Sequence, residues 1–371
     1  MERVILTIGC LMPILLFSFV PGQGNRKFLI ELGWGSPFPH QMVQFADQME
    51  RTPFDGCVFE LDYRHPDGKT ESFSWNCWGS RAYPWDGLAH AVDELRRAPL
   101  KRLTHNFLRF DVTPGNVDWF DDFTPILHNA RMAARIVHQS HQKVKGIFFD
   151  IEQYQFPIFD YRKQKRRGET SWSDYAYQVY QRGRQVMEAF QSECPDVIIF
   201  LTFGFCLPVY EAEHLGKRRN ALSRIPYGLL APFLNGMLDQ AGEKVLFVDG
   251  CELAYPCKER SEFEWRYSLM KNSAMPYVYD PEKYAQHYSF GFGIWMDYDW
   301  RGKGWHLNDF SKNHFRPDEL EKALTTALEI ADRYVWVYTE QPRWWSAEGP
   351  QRLPQEYFQA VAKARKAIIG D

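Results

Sequence analysis

Two carboxylates stand at the end of an apolar, aromatic segment of the chain. Residues 145–154 read KGIFFDIEQY, so Asp150 and Glu152 lie two residues apart. On a β-strand such residues project from the same face, and burying two acids together is costly unless they are paired. The carboxyl ends of the strands of a parallel barrel are where its catalytic groups lie. The spacing therefore predicts acid/base chemistry by Asp150 and Glu152, and a buried network with Arg109 or His105 is the alternative.

Further acids follow other predicted strands and extend this pair into a ring of carboxylates. The ring comprises Glu60, Asp62, Asp249, Glu252, Asp297, Asp299 and Glu340. Glycoside hydrolysis uses two carboxyl groups: one protonates the leaving oxygen, and the other attacks, activates water or stabilises the positive charge. We predict Glu152 as the acid, because its side chain is longer and Asp150 behind it can tune its proton or act as the electrostatic stabiliser. The second acid must come from another strand, and Glu340 or Asp297 is predicted to be the nucleophile or base.

Aromatic residues near the predicted strand ends indicate a sugar substrate, since flat rings pack on the C–H faces of pyranoses. Any single tryptophan is more often a packing residue than a binding residue. The predicted substrate-binding residues, with acids included, are Tyr154, Tyr298, Asp299, Trp295, Trp344, Trp345, Glu60 and Asp249. Trp344 and Trp345 are adjacent and closely follow Glu340, so they are the leading tryptophan candidates.

Strand-like and helix-like segments alternate along the chain and would place these residues. Strands are predicted at residues 28–33, 57–63, 103–110, 144–151, 196–203, 244–250, 290–296 and 334–338. Helical segments are predicted at residues 40–51, 88–97, 123–141, 172–194, 227–241, 263–271, 317–332 and 356–369. Eight strands alternating with helices predict a (β/α)8 TIM barrel of the α/β class, a single domain over residues 25–371 with decorated strand-to-helix loops. A doubly wound sheet is the alternative, but no glycine-rich phosphate turn follows the first strand.

Residues 1–24 are predicted to form a secretory signal peptide. They combine a charged start, an apolar run and small residues at a possible cleavage site. The apolar run is interrupted by Pro13 and is short for a membrane span. We therefore expect a secreted or periplasmic protein with no stable membrane insertion after cleavage, and an uncleaved N-terminal anchor is the alternative.

Composition and charge narrow the class of partner. The 371 residues carry a net charge of -3 and no long basic stripe, so no nucleic-acid partner is expected. Beyond the signal peptide, six cysteines remain in an exported chain, which permits disulfides. Cys251 and Cys257 flank a short loop and are the first pair to test, whereas Cys57 lies inside an apolar strand and is as readily a buried free thiol.

Several catalytic motifs are absent from the sequence. It contains no GxSxG elbow, no HExxH helix, no phosphate-binding loop and no EF-hand spacing. We therefore expect neither a metal nor another cofactor.

Part of the acid-bearing segment resembles a known signature. Gly146, Asp150 and Glu152 are similar to the end of the DGxDxDxE motif of family 18 glycoside hydrolases, the chitinase-like barrels. Lys145 and Phe148 stand where that motif has aspartates. The resemblance implies Glu152 as the acid and Asp150 as the residue that assists the acetamido group of the substrate.

A second patch resembles the same family. Residues 296–302, MDYDWRG, look like its MxYDxxG element. The resemblance implies that Tyr298 and Asp299 support the site.

The leading hypothesis from the sequence is an exported barrel glycoside hydrolase that acts on a poly- or oligosaccharide. The alternatives are a carbohydrate-binding barrel without catalysis, which the missing aspartates of the motif favour, and another carbohydrate-active enzyme such as a lyase.

Overall fold

A computed structural model describes residues 26–215, 219–299, 302 and 304–370. The predicted signal peptide, residues 1–24, lies outside these ranges, so its cleavage stays a prediction. Within them, no helix is both long enough and apolar enough to cross a membrane.

Parallel strands form the wall of a barrel. Every neighbouring pair in this sheet runs parallel. The strands are β1 (Phe28–Gly33), β2 (Gly56–Phe59), β3 (Asn106–Asp111), β4 (Val144–Asp150), β5 (Ile198–Leu201), β6 (Leu246–Asp249), β7 (Tyr288–Phe290), β8 (Phe292–Trp295) and β9 (Tyr334–Thr339). A separate antiparallel hairpin joins Asp62–Arg64 to Thr70–Ser72.

The barrel closes through a strand that is divided by one residue. β7 pairs with β6, and β8 pairs with β9, which in turn pairs with β1. Only Gly291 separates β7 from β8, and its amide donates to the Asp249 carbonyl at 2.9 Å. A Cβ atom at Gly291 would lie 2.5 Å from the Tyr334 carbonyl oxygen, so the crossing requires glycine. β7 and β8 together occupy one of eight strand positions, and the predicted (β/α)8 barrel is confirmed.

Helices cover the outside of the barrel. They are α1 (Pro39–Gln44), α2 (Ala46–Met49), α3 (Phe73–Asn76), α4 (His90–Arg97), α5 (Thr124–Gln139), α6 (Trp172–Glu193), α7 (Cys206–His214), α8 (Leu230–Gln240), α9 (Arg260–Ser268), α10 (Pro281–His287), α11 (Pro317–Ile330) and α12 (Gln355–Ile368). Sequence periodicity locates the longer helices within a few residues. It misses α3, α7, α10 and the hairpin, which are short.

Alternation along each strand divides the core into two layers. Phe148 of β4 belongs to the inner cluster and lies 5.6 Å from Trp336, ring centre to ring centre. Its neighbours Ile147 and Phe149 belong to the outer cluster between the strands and the helices. Inward-facing positions near the carboxyl ends therefore reach the mouth of the barrel, while outward-facing positions are enclosed by helices.

The cysteines differ from one expectation. All six that the structure describes are buried and free. The disulfide between Cys251 and Cys257 is therefore not formed, and Cys57 is a buried thiol, as its apolar strand indicates.

Candidate active site

A cavity of about 1040 Å³ opens at the carboxyl ends of the strands. Its lining includes five carboxyl side chains and two guanidinium groups, which belong to Glu60, Asp150, Glu152, Glu252, Glu340, Arg109 and Arg266. An acid-rich, partly aromatic cavity at this end of a barrel is the expected position of a substrate site.

Arg109 of β3 organises the carboxylates at the base of the cavity. Its Nη2 atom donates to Asp150 Oδ2 at 2.7 Å, and its Nε atom donates to Asp111 Oδ1 at 2.8 Å. Glu60 Oε1 lies 3.5 Å from Nη1. Burial and the charge of Asp150 raise the pKa of Asp111 well above its usual value, although Arg109 opposes the shift. Arg109 therefore bridges Asp111 and Asp150 and neutralises the charge of Asp150.

A buried network with Arg109 was the alternative to a catalytic role for Asp150. The ion pair between Arg109 and Asp150 is present, and it lies within the cavity. Arg109 and Asp150 both line it, so the pair supports the site as well as the barrel interior. His105 takes no part, because its ring stacks on Phe28 at 3.6 Å near the start of β1.

Glu152 lies beyond the strand, because β4 ends at Asp150. The turn still brings the two acids together: the Glu152 amide donates to Asp150 Oδ1 at 3.1 Å. The Tyr154 hydroxyl donates to Glu152 Oε2, and it lies 3.2 Å from Asp150 Oδ2. Burial and then the Asp150 charge raise the pKa of Glu152 to about 7, against the smaller opposing effects of Tyr154 and Arg109. Such a group can give or take a proton near neutral pH.

Glu252 adds a third carboxyl group to the cavity, beside those of Asp150 and Glu152. It begins the 3₁₀ turn Glu252–Ala254 after β6. Its Oε2 atom is shielded from solvent and has no hydrogen-bond partner among the described residues. Burial, followed by the charges of Glu152 and Asp150, raises its pKa well above the usual value. Glu252 belongs to the ring of acids predicted from the sequence, but no role was predicted for it.

Glu340 and Asp297, the two candidates for the second acid, have different environments. Glu340 lines the cavity, and the Tyr338 hydroxyl donates to it at 3.2 Å. Burial, followed by the charge of Asp297, raises the pKa of Glu340.

Asp297 is buried and does not line the cavity. It accepts hydrogen bonds from the amides of Glu340 and Gln341 and from Trp295 Nε1. Asp297 therefore positions the backbone that carries Glu340, and its catalytic role stays a prediction.

Asp249 was predicted to bind substrate, and the structure places it outside the cavity. As the last residue of β6, Asp249 faces away from the barrel axis and is fully buried. It accepts hydrogen bonds from the amides of Gly204, Cys206 and Cys251 at 2.9, 3.1 and 3.2 Å. Asp249 therefore fixes the loops after β5 and β6.

Trp344 and Trp345 were also predicted to bind substrate, and they too lie elsewhere. Trp344 is 2% exposed and meets Phe54 edge to face at 4.7 Å, while Trp345 is 8% exposed and packs against Phe45 at 5.7 Å. The chain turns back between Glu340 and these rings and inserts them under the helices.

Asp299 does not line the cavity either. Its Oδ2 atom accepts a hydrogen bond from the Gly304 amide at 3.0 Å, and its role in substrate binding stays a prediction. Its neighbours 300 and 301 lie outside the described residues.

The remaining predicted binding residues do line the cavity: Tyr154, Tyr298, Trp295 and Glu60. Trp34, which is 70% exposed, and Trp75 add aromatic surface next to them. Three further tyrosines on the cavity wall were not predicted from the sequence: Tyr210, Tyr255 and Tyr338. Tyr338 could have been found, because it alternates with Trp336 on an assigned strand.

Two further tests of the site concern metals and family motifs. Among the described residues, no group of three or more histidine, cysteine, aspartate or glutamate side chains could hold a metal ion. No family model matches the chain, and no curated protein matches it.

Solved structures give matches of low similarity. A broad-specificity endoglucanase of Bacteroides salanitronis is 10% identical with a TM-score of 0.49, covering 96% of this chain and 98% of that one. An endocellulase of the archaeon Pyrococcus horikoshii is 8% identical with a TM-score of 0.44, covering 91% and 92%. An exo-β-1,4-mannosidase of an Opitutaceae bacterium, strain TAV5, is 14% identical with a TM-score of 0.40, covering 84% and 52%. At this level the similarity carries no argument about activity.

Proposed function

We propose that this protein is a glycoside hydrolase that cleaves a poly- or oligosaccharide, with Glu152 as the general acid. The observation that carries the proposal is a glutamate whose pKa is raised to about 7 in an acid-rich cavity with aromatic walls. Leaving-group protonation requires such a group at neutral pH, and a negative neighbour such as Asp150 maintains its proton.

Glu340 is the proposed nucleophile or base. β4 and β9 occupy the fourth and eighth of the eight strand positions, so their carboxyl ends lie on opposite sides of the mouth. A sugar between Glu152 and Glu340 would have one carboxyl group on each side, as the reaction requires. Tyr338 holds Glu340 by a hydrogen bond of 3.2 Å.

The aromatic residues support a sugar that extends to both sides of Glu152. Trp34 and Trp75 follow β1 and β2, while Tyr210 and Tyr255 follow β5 and β6. These pairs of strands face each other across the ring. Sugar units on either side of the cleaved bond could therefore each pack on an aromatic face.

The charge balance suits an uncharged sugar. Arg109 neutralises Asp150, and burial favours the protonated forms of Glu60 and Glu252. The cavity therefore offers hydrogen-bonding groups with little net charge, and neither a metal nor another cofactor is part of the proposal.

Assignment to family 18 would specify a catalytic mechanism, and the barrel fold alone does not support that detail. Its motif has an aspartate where this chain has Phe148, and that ring packs against Phe200 and Trp336 in the inner core. Assistance by a substrate acetamido group would therefore rely on Asp150 without this aspartate. We base the proposal on carboxylate catalysis alone, and we also propose export through residues 1–24.

The test is Glu152→Gln assayed on a panel of soluble glycans. Because general acid catalysis contributes about 10²- to 10⁴-fold, we expect turnover to fall at least a hundredfold with sugar binding and thermal stability retained. Glu264→Gln, an exposed acid on α9, is the matched control and should retain full turnover. Near-normal turnover by Glu152→Gln would refute the assignment, and glycan binding without any turnover by the unchanged protein would instead support a non-catalytic sugar-binding barrel.

A further inference from the structure

The loop after β6 presents a carboxyl group with one oxygen atom that has no partner among the described residues. Glu252 lines the cavity, and its shielded Oε2 atom has no hydrogen-bond partner among the residues described. Leaving such an atom unpaired carries a desolvation penalty. An unpaired buried polar atom therefore requires an explanation.

The backbone of this loop is fixed on both sides of the sheet. Cys251 has φ 42° and ψ 63°, a left-handed conformation that is uncommon outside glycine. The Glu252 amide donates to the Thr202 carbonyl at 3.1 Å, and Trp336 Nε1 donates to the Gly250 carbonyl at 2.8 Å. On the outer side, Asp249 accepts the Cys251 amide. Because the loop is pinned at three points, the backbone of Glu252 is fixed, and only rotation of its side chain can bring Oε2 to a partner.

The surroundings of Glu252 favour an uncharged carboxyl group. Its electrostatic neighbours include Glu152 and Asp150, both of which oppose a further negative charge. Arg109, the nearby cation, is already bonded to Asp150 and Asp111. The interaction with the Tyr255 hydroxyl compensates only in part.

We propose that Glu252 contacts the substrate as a neutral carboxylic acid, with its unpaired oxygen bonded to a hydroxyl group of the sugar unit beside Glu152. A neutral acid can both donate and accept, which matches the two capacities of a sugar hydroxyl group. Glu252 keeps its proton through the reaction, while Glu152 is the group that changes protonation. This inference rests on the proposed glycoside hydrolase function.

The kinetic test compares Glu252→Gln with Glu252→Ala. A glutamine side chain keeps a donor and an acceptor but cannot ionise, so we expect kcat/KM within about tenfold of the unchanged protein. Alanine removes the contact, and we expect a loss of about 10²-fold or more, the usual effect of deleting a positioned hydrogen-bonding group. Glu264→Gln on α9 serves again as the surface control.

Two kinetic results would overturn the inference. If Glu252→Gln loses as much activity as Glu152→Gln, Glu252 ionises during the reaction and is a nucleophile or base. If Glu252→Ala keeps full kcat/KM, Glu252 makes no productive contact. Thermal unfolding of each variant separates either result from a failure to fold.

A measurement without substrate separates this inference from the proposed function. Infrared difference spectra of the protein labelled with ¹³C-glutamate, taken at pH 7, compare the unchanged chain with Glu252→Gln. We expect the variant to lose a protonated carboxyl band, and loss of a carboxylate band instead would overturn the inference. If the unchanged protein cleaves no glycan, the proposed function fails while the spectra still report the state of Glu252.

Discussion

β4 and β6 both end in an aspartate that is followed by a glutamate, but the two aspartate side chains point in opposite directions. Asp150 ends β4 and Asp249 ends β6. Asp150 lines the cavity and pairs with Arg109 at 2.7 Å. Asp249 instead faces the helices and accepts three backbone amides. One aspartate therefore belongs to the site, and the other belongs to its support.

The spacing of the following glutamates explains how both ends still deliver an acid to the cavity. Glu152 follows Asp150 by two residues and keeps the same side, as strand alternation predicts. Glu252 follows Asp249 by three residues, and the left-handed Cys251 directs it inward. An acid near a strand end therefore indicates a site only if its side chain points toward the barrel axis.

The strongest test of this comparison is Asp249→Asn. The substitution replaces one carboxylate oxygen with an amide NH2 group, which is a donor and cannot accept from the backbone amides. We therefore expect the free energy of unfolding to fall by about 2–3 kcal/mol. Urea denaturation measures the change. Asp239→Asn, in an exposed ion pair on α8, should cost under about 0.5 kcal/mol; an equal effect of the two would show that Asp249 does not support the loops.

Asp150→Asn should change the pH dependence of kcat/KM. Glu152 must be protonated to act as the acid, so kcat/KM should decline as the pH rises through about 7. The negative charge of Asp150 raises the pKa of Glu152, so its removal should move this decline downward by about one pH unit. Glu252→Gln should leave the decline in place, because a neutral group has no charge to remove. A shift of the same size in that variant would show that Glu252 is ionised.

Tyr154→Phe should have the smallest effect, in the opposite direction. The hydrogen bond from Tyr154 lowers the pKa of Glu152, so its loss should move the alkaline decline upward by about half a pH unit. The same pH series of kcat/KM measures it. A downward movement would mean that Tyr154 does not stabilise the charged form of Glu152.

The strand positions were predictable from sequence because each strand is a short run of β-branched and aromatic residues. β1 has the predicted bounds, 28–33, and β4 ends one residue early. The division at Gly291 was not predictable, since nothing local shows that the strand changes partners there. β2 ends at Phe59 because the hairpin strand Asp62–Arg64 takes the following residues.

The site was predictable where alternation holds and was missed where the chain turns. Asp150 and Glu340 continue their strands inward, so pattern and position agree. Asp297 and Asp299 lie in the loop after β8, where side-chain direction depends on backbone hydrogen bonds and not on a period. Trp344 is close to Glu340 in sequence, but its path into the core depends on long-range contact with Phe54.

The buried free cysteines can be used to measure local unfolding by thiol labelling. Thiol reagents react with the exposed thiolate, and burial raises the pKa of Cys57 and Cys206 well above the usual value. Labelling at each position must therefore wait for local or global unfolding. Cys57 would time the opening of the strand layer, while Cys206 would time the release of the loop that Asp249 holds.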